Sequence, residues 1–339
     1  MPDSPALILA GDLGGTNFRV AVFRGDPEMT RLHFAKFRSA DYSSLEEMVH
    51  LFLKGISPTL EVPLQAACFG VPGPNVHGVV QPSNLGWKIE VNTLPRLLGI
   101  PRVAILNDLE STAYGISALR QSDFAVLQAG SGSHAGNQCV IAPGTGLGEA
   151  GLFWDGTRHT PWACEGGHAG FAPTDELQHD LLTFLRREYG SVSFERVVSG
   201  MGITNIYRFL RDTGRGVEKP EVAREILAGD AAAVIDRHSA DSSCPLCRST
   251  MDLFVQALGA EASNLALKTM ATGGVFLGGG IPPKILGLLR RPLFLESFLN
   301  KGRLRPLLET MPINVILNDE TALLGSARNS FRMLENLKN

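Results

Sequence analysis

Gly11-Asp12-Leu13-Gly14-Gly15-Thr16-Asn17 near the start of the chain, and Pro143-Gly144-Thr145-Gly146-Leu147-Gly148 at its middle, are glycine turns set between strand-like segments. Upstream of the first lies the apolar run 6–10, and downstream Phe18, Val20 and Val22 alternate with Arg19, Ala21 and Phe23. That is the period of a strand, so each turn reads as the tip of a β-hairpin made of backbone and hydroxyl. Glycine there permits positive φ and close approach, which lets successive amides converge on an anion. Neither turn is followed by the lysine and Ser/Thr of a Walker loop, and neither is a dinucleotide fingerprint. Asp12 ends a buried strand, where a carboxylate beside a polyphosphate makes sense as a partner for Mg²⁺, often through water. One such hairpin alone could be a tight turn with no ligand. Two of them, with the triple glycine Gly278-Gly279-Gly280 after a third strand, point to a grip on one polyphosphate.

Outward from these turns, the 339 residues exceed what one core usually organises and predict two domains. An apolar fraction of 44% against 19% charged residues excludes a disordered chain. A net charge of −3 without a long basic run advertises no nucleic-acid surface, and the cluster Arg290, Arg291, Lys301, Arg303 and Arg305 reads as a solvated face. The opening residues lack the basic region and apolar core of a signal peptide, and no apolar stretch reaches membrane-spanning length. A cytoplasmic protein with no membrane partner is expected. The odd set Cys68, Cys139, Cys164, Cys244 and Cys247 suits reduced thiols. Cys244-Pro245-Leu246-Cys247 is half of a zinc site, but no second Cys-x-x-Cys completes it, so no structural zinc is expected.

The first third alternates strands and helices. A third strand is predicted over 32–37, then Ser44-Leu45-Glu46-Glu47 is a capping box that opens a helix to about residue 53. Buried strands follow at 66–71 and 102–106, with a short hairpin around His77-Gly78, and Asn107-Asp108 opens a helix to about 119. The polar stretch 130–137 reads as a surface loop before the second hairpin, 138–154. Helical spacing of apolar residues marks 175–189, 194–210, 220–237 and 248–270. Strands at 275–277 and 315–317 precede a closing helix.

The last strand holds an internal echo. Val103-Ala104-Ile105-Leu106-Asn107-Asp108 returns almost letter for letter as Val315-Ile316-Leu317-Asn318-Asp319, which suggests two topologically related halves and leaves two Asn-Asp pairs to weigh. A carboxylate at a strand end and helix start is kept ionised by the helix dipole and free amides and can act as a base. The plainer reading of Asp at such a place is a helix cap.

Asp12-Leu13-Gly14-Gly15-Thr16-Asn17, Leu106-Asn107-Asp108, Gly144-Thr145-Gly146-Leu147-Gly148, Glu165-Gly166-Gly167-His168 and Gly278-Gly279-Gly280-Ile281 stand in the order seen in bacterial glucokinases, which this sequence resembles from about residue 7 to 330. The segment 193–200 belongs to the match. The resemblance implies an α/β, two-domain actin-like ATPase (ribonuclease H-like) fold with an interdomain cleft. The expected domains are 1–118 plus 319–339, and 119–318 with helical insertions. It further implies ATP-dependent phosphorylation of D-glucose at the 6-hydroxyl, with Asp108 as the general base. Asp319, in what the family uses as the closing strand and helix of the first domain, is then a capping residue. Asn107, Glu165, His168 and Glu195 match sugar-binding residues, as does Asn84; carboxylates, amides and an imidazole suit hydroxyls that both donate and accept. Gly11, Asp12, Leu13, Gly14, Gly15, Thr16, Asn17, Gly144, Thr145, Gly146, Gly279 and Gly280 are the expected nucleotide contacts, with Mg²⁺ at Asp12. In the related ROK family a histidine like His168 joins a downstream cysteine cluster on zinc. Ala169-Gly170-Phe171-Ala172 holds no such cluster, which places the chain with the zinc-free group. A homodimer is the family expectation. The alternatives are another hexose kinase, for mannose or fructose, or a non-catalytic sugar-sensing regulator on the same scaffold.

Overall fold

The structure, a computed structural model, describes residues 6–26, 28–73, 75–82, 85–130, 135–240 and 243–335. The chain divides into two compact units, Met1–Gln121 with Asn318–Asn339, and Ser122–Leu317.

In the first unit β1 (Leu7–Leu13), β2 (Asn17–Arg24), β3 (Arg31–Arg38), β4 (Leu64–Val71) and β8 (Val103–Asn107) form a sheet in the order β3-β2-β1-β4-β8. Between β4 and β8 the short strands β5 (Asn75–Val76), β6 (Val79–Val80) and β7 (Ile89–Glu90) make a small sheet of their own. The β5–β6 turn is the expected hairpin, with His77 and Gly78 at φ 53° and 81°. Alternation in β1 splits its side chains between two cores. Leu7, Leu9 and Leu13 join Phe18, Val20 and Val22 under helix Leu45–Ile56, which contributes Leu45, Met48, Val49 and Phe52. Ile8 and Ala10 face the other way, with Ala21, Phe23 and Ala66 against Leu323 and Ala327 of the closing helix Thr321–Glu335. The Ser44 hydroxyl caps helix Leu45–Ile56 as read, accepting from the Glu47 amide at 3.1 Å. The Glu47 carboxylate reaches back one residue further than the capping box predicts, to the Ser43 amide and hydroxyl.

In the second unit β9 (Phe124–Gln128), β10 (Gln138–Pro143), β11 (Leu147–Trp154), β12 (His159–Cys164), β13 (Gly274–Leu277) and β14 (Ile313–Ile316) form a sheet in the order β12-β11-β10-β13-β14-β9. Its first five positions repeat the plan of the other sheet: an antiparallel hairpin and third strand, then two strands parallel to the first. The echoed segments are β8 and β14, each last in its parallel trio. β14 lies in the second sheet, while the helix after it belongs to the first unit. The buried helix Pro245–Thr269 runs through the second core. Two expected helices are broken. Residues 194–210 become the turn Phe194–Arg196 and the helix Gly200–Asp212, because the Ser199 hydroxyl caps the Gly202 amide. Residues 220–237 become Pro220–Ala228 and Ala231–Ser239, because Asp230 accepts from the amides of Ala232 and Ala233. Among the described residues no helix is long and apolar enough to cross a membrane.

Candidate active site

The β1–β2 tip is closed by the Gly14 amide on the Asn17 carbonyl at 2.8 Å. It is pinned from β3's end, where the Ser39 hydroxyl donates to the Gly14 carbonyl and the Ser39 amide to the Thr16 carbonyl. Gly15 and Thr16 are exposed. Neither hairpin tip uses left-handed glycine: Gly11, Gly14, Gly15, Gly144 and Gly146 all lack positive φ, and of the glycines named as contacts only Gly279 has it, at 79°. Close approach is what the sequence demands instead. A Cβ on Gly11 would lie 2.5 Å from the Phe69 ring and 2.7 Å from Phe18, and Leu13 is buried in the same core.

Asp12 faces Arg19 across the hairpin register. The Arg19 guanidinium lies 3.8 Å from Asp12 Oδ2 and 2.6 Å from Asp319 Oδ2, and also donates to the Asp319 carbonyl. Burial raises the Asp12 carboxyl to about 6; Arg19 opposes this, and the charges of Asp108 and Asp319 add to it. Two carboxylates, Asp12 and Asp319, thus share one guanidinium. Arg19 was not foreseen as a site residue; its signal was a lone cation in an apolar strand opposite the turn's aspartate.

Asn107 and Asp108 stand where β8 ends and helix Asp108–Ile116 begins. Asn107 Oδ1 accepts from the Leu109 amide at 2.9 Å and so caps the helix. Asp108 Oδ1 shares the Leu109 amide, also at 2.9 Å, so its carboxylate sits on the positive end of the helix. At the echo, Asn318 Oδ1 accepts from the Glu320 amide at 2.9 Å. Asn318 thus closes the turn that leads into helix Thr321–Glu335, while Asp319, its side chain 80% exposed, pairs with Arg19.

In the second unit, Glu165, His168 and Glu195 gather around the start of β11. Glu195 Oε2 accepts from the Leu147 amide at 3.1 Å, and a Cβ on Gly146 would strike that oxygen at 2.5 Å. Gly167 packs on the Leu147 carbonyl, where a Cβ would lie at 2.1 Å. The Glu165–His168 turn is closed by the His168 amide on the Glu165 carbonyl, and both side chains are exposed. Phe194 donates its amide to the Ala169 carbonyl, tying the Glu195 turn to the same loop. Asn84 lies outside the described residues.

The second hairpin tip also borders a cavity of about 600 Å³ lined by Gly144, Thr145, Gly200, Thr204, Asp230, Asp236, Gly280, Ile281 and Lys284 among others. Two helix N-termini open on it, at Gly200 and Ala231, and the Gly200 amide donates to the Gly144 carbonyl at 2.8 Å. Gly279 is forced to be glycine twice over, by its φ and by a Cβ position 2.6 Å from the Pro143 carbonyl. Burial raises the Asp236 carboxyl, with Lys284 opposing. Asp230, Asp236 and Lys284 were not legible in the sequence, since they converge only through tertiary packing. All five thiols are free; Cys244 and Cys247 are buried with sulfurs 2.9 Å apart, and His238 bonds Glu225 at 3.1 Å.

Known proteins match this chain along almost its whole length. The Glucokinase family profile matches residues 9–332. A glucokinase of Trichormus variabilis is 38% identical over 336 residues, covering 95% of this chain and 98% of that one. The crystal structure of a glucokinase from an Antarctic psychrotroph superposes with a TM-score of 0.83 at 30% identity, covering 96% and 99%. A ROK family glucokinase from Streptomyces griseus, at 19% identity and a TM-score of 0.63, shares the fold. With the two sheets on one actin-like plan and the motifs in order, the chain belongs to the glucokinase family.

Proposed function

We propose that this chain transfers the γ-phosphoryl group of ATP to the 6-hydroxyl of D-glucose, with Asp108 taking the hydroxyl proton as that oxygen attacks. The observation that carries the assignment is the Asp108 carboxylate on the first turn of helix Asp108–Ile116, where the Leu109 amide donates to it and its neighbour Asn107 does the capping. Glu165, His168, Glu195, Asn107 and Asn84 hold the sugar hydroxyls. Buried polar groups left unpaired by a wrong sugar supply the discrimination. The cavity beside Gly144, Gly280, Asp236 and Lys284 takes the nucleoside, with helix N-termini suited to its anionic side. Gly14 to Asn17 and Gly144 to Gly146 hold the phosphates.

Asp12 would hold Mg²⁺. A hard carboxylate raised to about 6 among other carboxylates gains from a dication, and among the described residues no group of three or more ligating side chains forms a cage. That donor set fits an ion bound chiefly through phosphate and water. Bound there, the ion neutralises charge on the phosphates. Zinc has no part in this reading, since Ala169-Gly170-Phe171-Ala172 directly after His168 holds no cysteine cluster. Free thiols suit a cytoplasmic setting, and a homodimer, as in the family, is checked by light scattering.

A coupled assay with ATP and a panel of glucose, mannose and fructose tests the substrate. Asp108→Ala is expected to lower kcat by about 10²–10⁴-fold while calorimetry shows glucose binding retained. Full activity in that variant would remove the base assignment.

A further inference from the structure

Behind the Glu165–His168 turn lies a pair of buried acids that phosphoryl transfer does not use. Glu149 on β11 is 2% exposed, and Glu261 on helix Pro245–Thr269 is fully buried. Glu149 Oε1 and Glu261 Oε1 are both buried without a hydrogen-bond partner so long as both groups are taken as ionised. The two carboxyls act on each other's titration, and one shared proton would give both unpartnered oxygens a bond. Glu261 is the better-partnered member, although burial raises its carboxyl too: its Oε2 accepts from Asn264 Nδ2 at 2.8 Å, Lys268 Nζ lies 3.9 Å from its Oε1, and Lys301 braces Asn264 at 2.6 Å. The other oxygen of Glu149 is wedged against the sugar loop. A Cβ on Gly166 would lie only 2.0 Å from Glu149 Oε2, so the Gly166 backbone rests directly on that carboxyl.

We propose that Glu149 is a positioning residue for sugar binding: with Glu261 it forms a proton-sharing acid pair on which Gly166 is seated, and the pair fixes the stance of Glu165 and His168. This rests on reading those two as sugar contacts. Burial first, then the Glu261 charge, raises the Glu149 carboxyl to about 8, with Lys268 opposing. The other titratable groups around it are the Cys139 thiol on β10 and the Cys164 thiol on β12, both pushed up by burial, and Lys301, pushed down by it. Below about pH 8 the pair holds its proton; above it two buried carboxylates repel each other under the loop.

The measurement is the KM for glucose as a function of pH, with the KM for ATP as internal control. In the parent protein the glucose KM should rise about tenfold for each pH unit above 8, as the seated fraction falls, with the ATP KM changing little. Glu149→Gln carries a permanent donor to Glu261 and should keep a near-parent glucose KM while abolishing the alkaline rise. Glu149→Leu, which has no donor, should raise the glucose KM on the order of tenfold at pH 7. An alkaline rise undiminished in E149Q, or an unchanged glucose KM in folded E149L, overturns the proposal. His168→Ala separates the two readings: an unchanged glucose KM there removes the sugar role of the loop. The pair is tested independently by its protonated-carboxyl infrared band, present at pH 7 in the parent and missing from E149Q. Absence of that band from the parent overturns the pair itself.

Discussion

Asp12 and Asp319 compete for one guanidinium, and Arg19 stands 2.6 Å from Asp319 but 3.8 Å from Asp12. The better partner is the exposed one, so Asp12 keeps a carboxyl raised to about 6 by burial and by its acidic neighbours. The sign follows from proton linkage: the folded protein holds this proton more tightly than the unfolded chain, so the contribution to stability is full below the ordinary aspartate pKa and is lost as pH rises to 6. The same ionisation readies the carboxylate for Mg²⁺. In a pH profile, kcat/KM for MgATP should fall toward tenfold per unit below pH 6. Asp319→Ala removes a nearby negative charge and releases Arg19 toward Asp12, so it should move that acid limb to lower pH. An exposed ion pair costs at most about 1 kcal/mol when lost, so the variant should remain folded and active. An inactive, folded D319A would make the echo residue, rather than Asp108, the base. The Asn-Asp letters were plain in the sequence at both places; which carboxylate meets Arg19 depends on residues 300 positions apart in the chain.

The helices that follow the two echoes, Asp108–Ile116 and Thr321–Glu335, cross at glycines. A Cβ on Gly325 would lie 1.7 Å from the Ser111 carbonyl, and one on Gly115 would lie 2.0 Å from the Thr321 carbonyl. Between them the Ser111 and Ser326 hydroxyls meet at 3.0 Å, and Ser326 also donates to the Gly11 carbonyl at the base of the first hairpin. Because backbone rather than side chain occupies the space, Gly325→Ala should destabilise by about 3 kcal/mol or more, read as a lower denaturant midpoint with unchanged slope. Elements bounded by local signals were legible: the hairpins, the Ser44 cap and the Asn107 helix start. Phe124–Gln128 and His159–Cys164 were missed because they are edge strands, short and half open to solvent, with Pro161 interrupting the second. The breaks at Ser199 and Asp230 were missed because apolar spacing continues across them; only the capping side chains stop the helices.

At the scale of the molecule, ligand binding and folding share one free energy. Glucose at a hundred times its Kd should add about 2.7 kcal/mol of stability, seen as a melting shift of several degrees that mannose or fructose at the same concentration does not reach. The motif order made the fold legible, but of the repeated sheet plan only the paired glycine hairpins and the echo at 315–319 showed in the letters, since strands of equal place need share a pattern of burial and not of letters. The closing helix has a consequence for synthesis. The face of the first sheet bearing Ile8, Ala10, Ala21, Phe23 and Ala66 is covered by Leu323 and Ala327, which leave the ribosome about 250 residues after Ala66. At about 5–20 residues per second, that face waits some tens of seconds, uncovered, while the intervening second unit is made. The first part of the chain to emerge is thus the last to be finished, and that interval is when a chaperone has an apolar sheet face to hold.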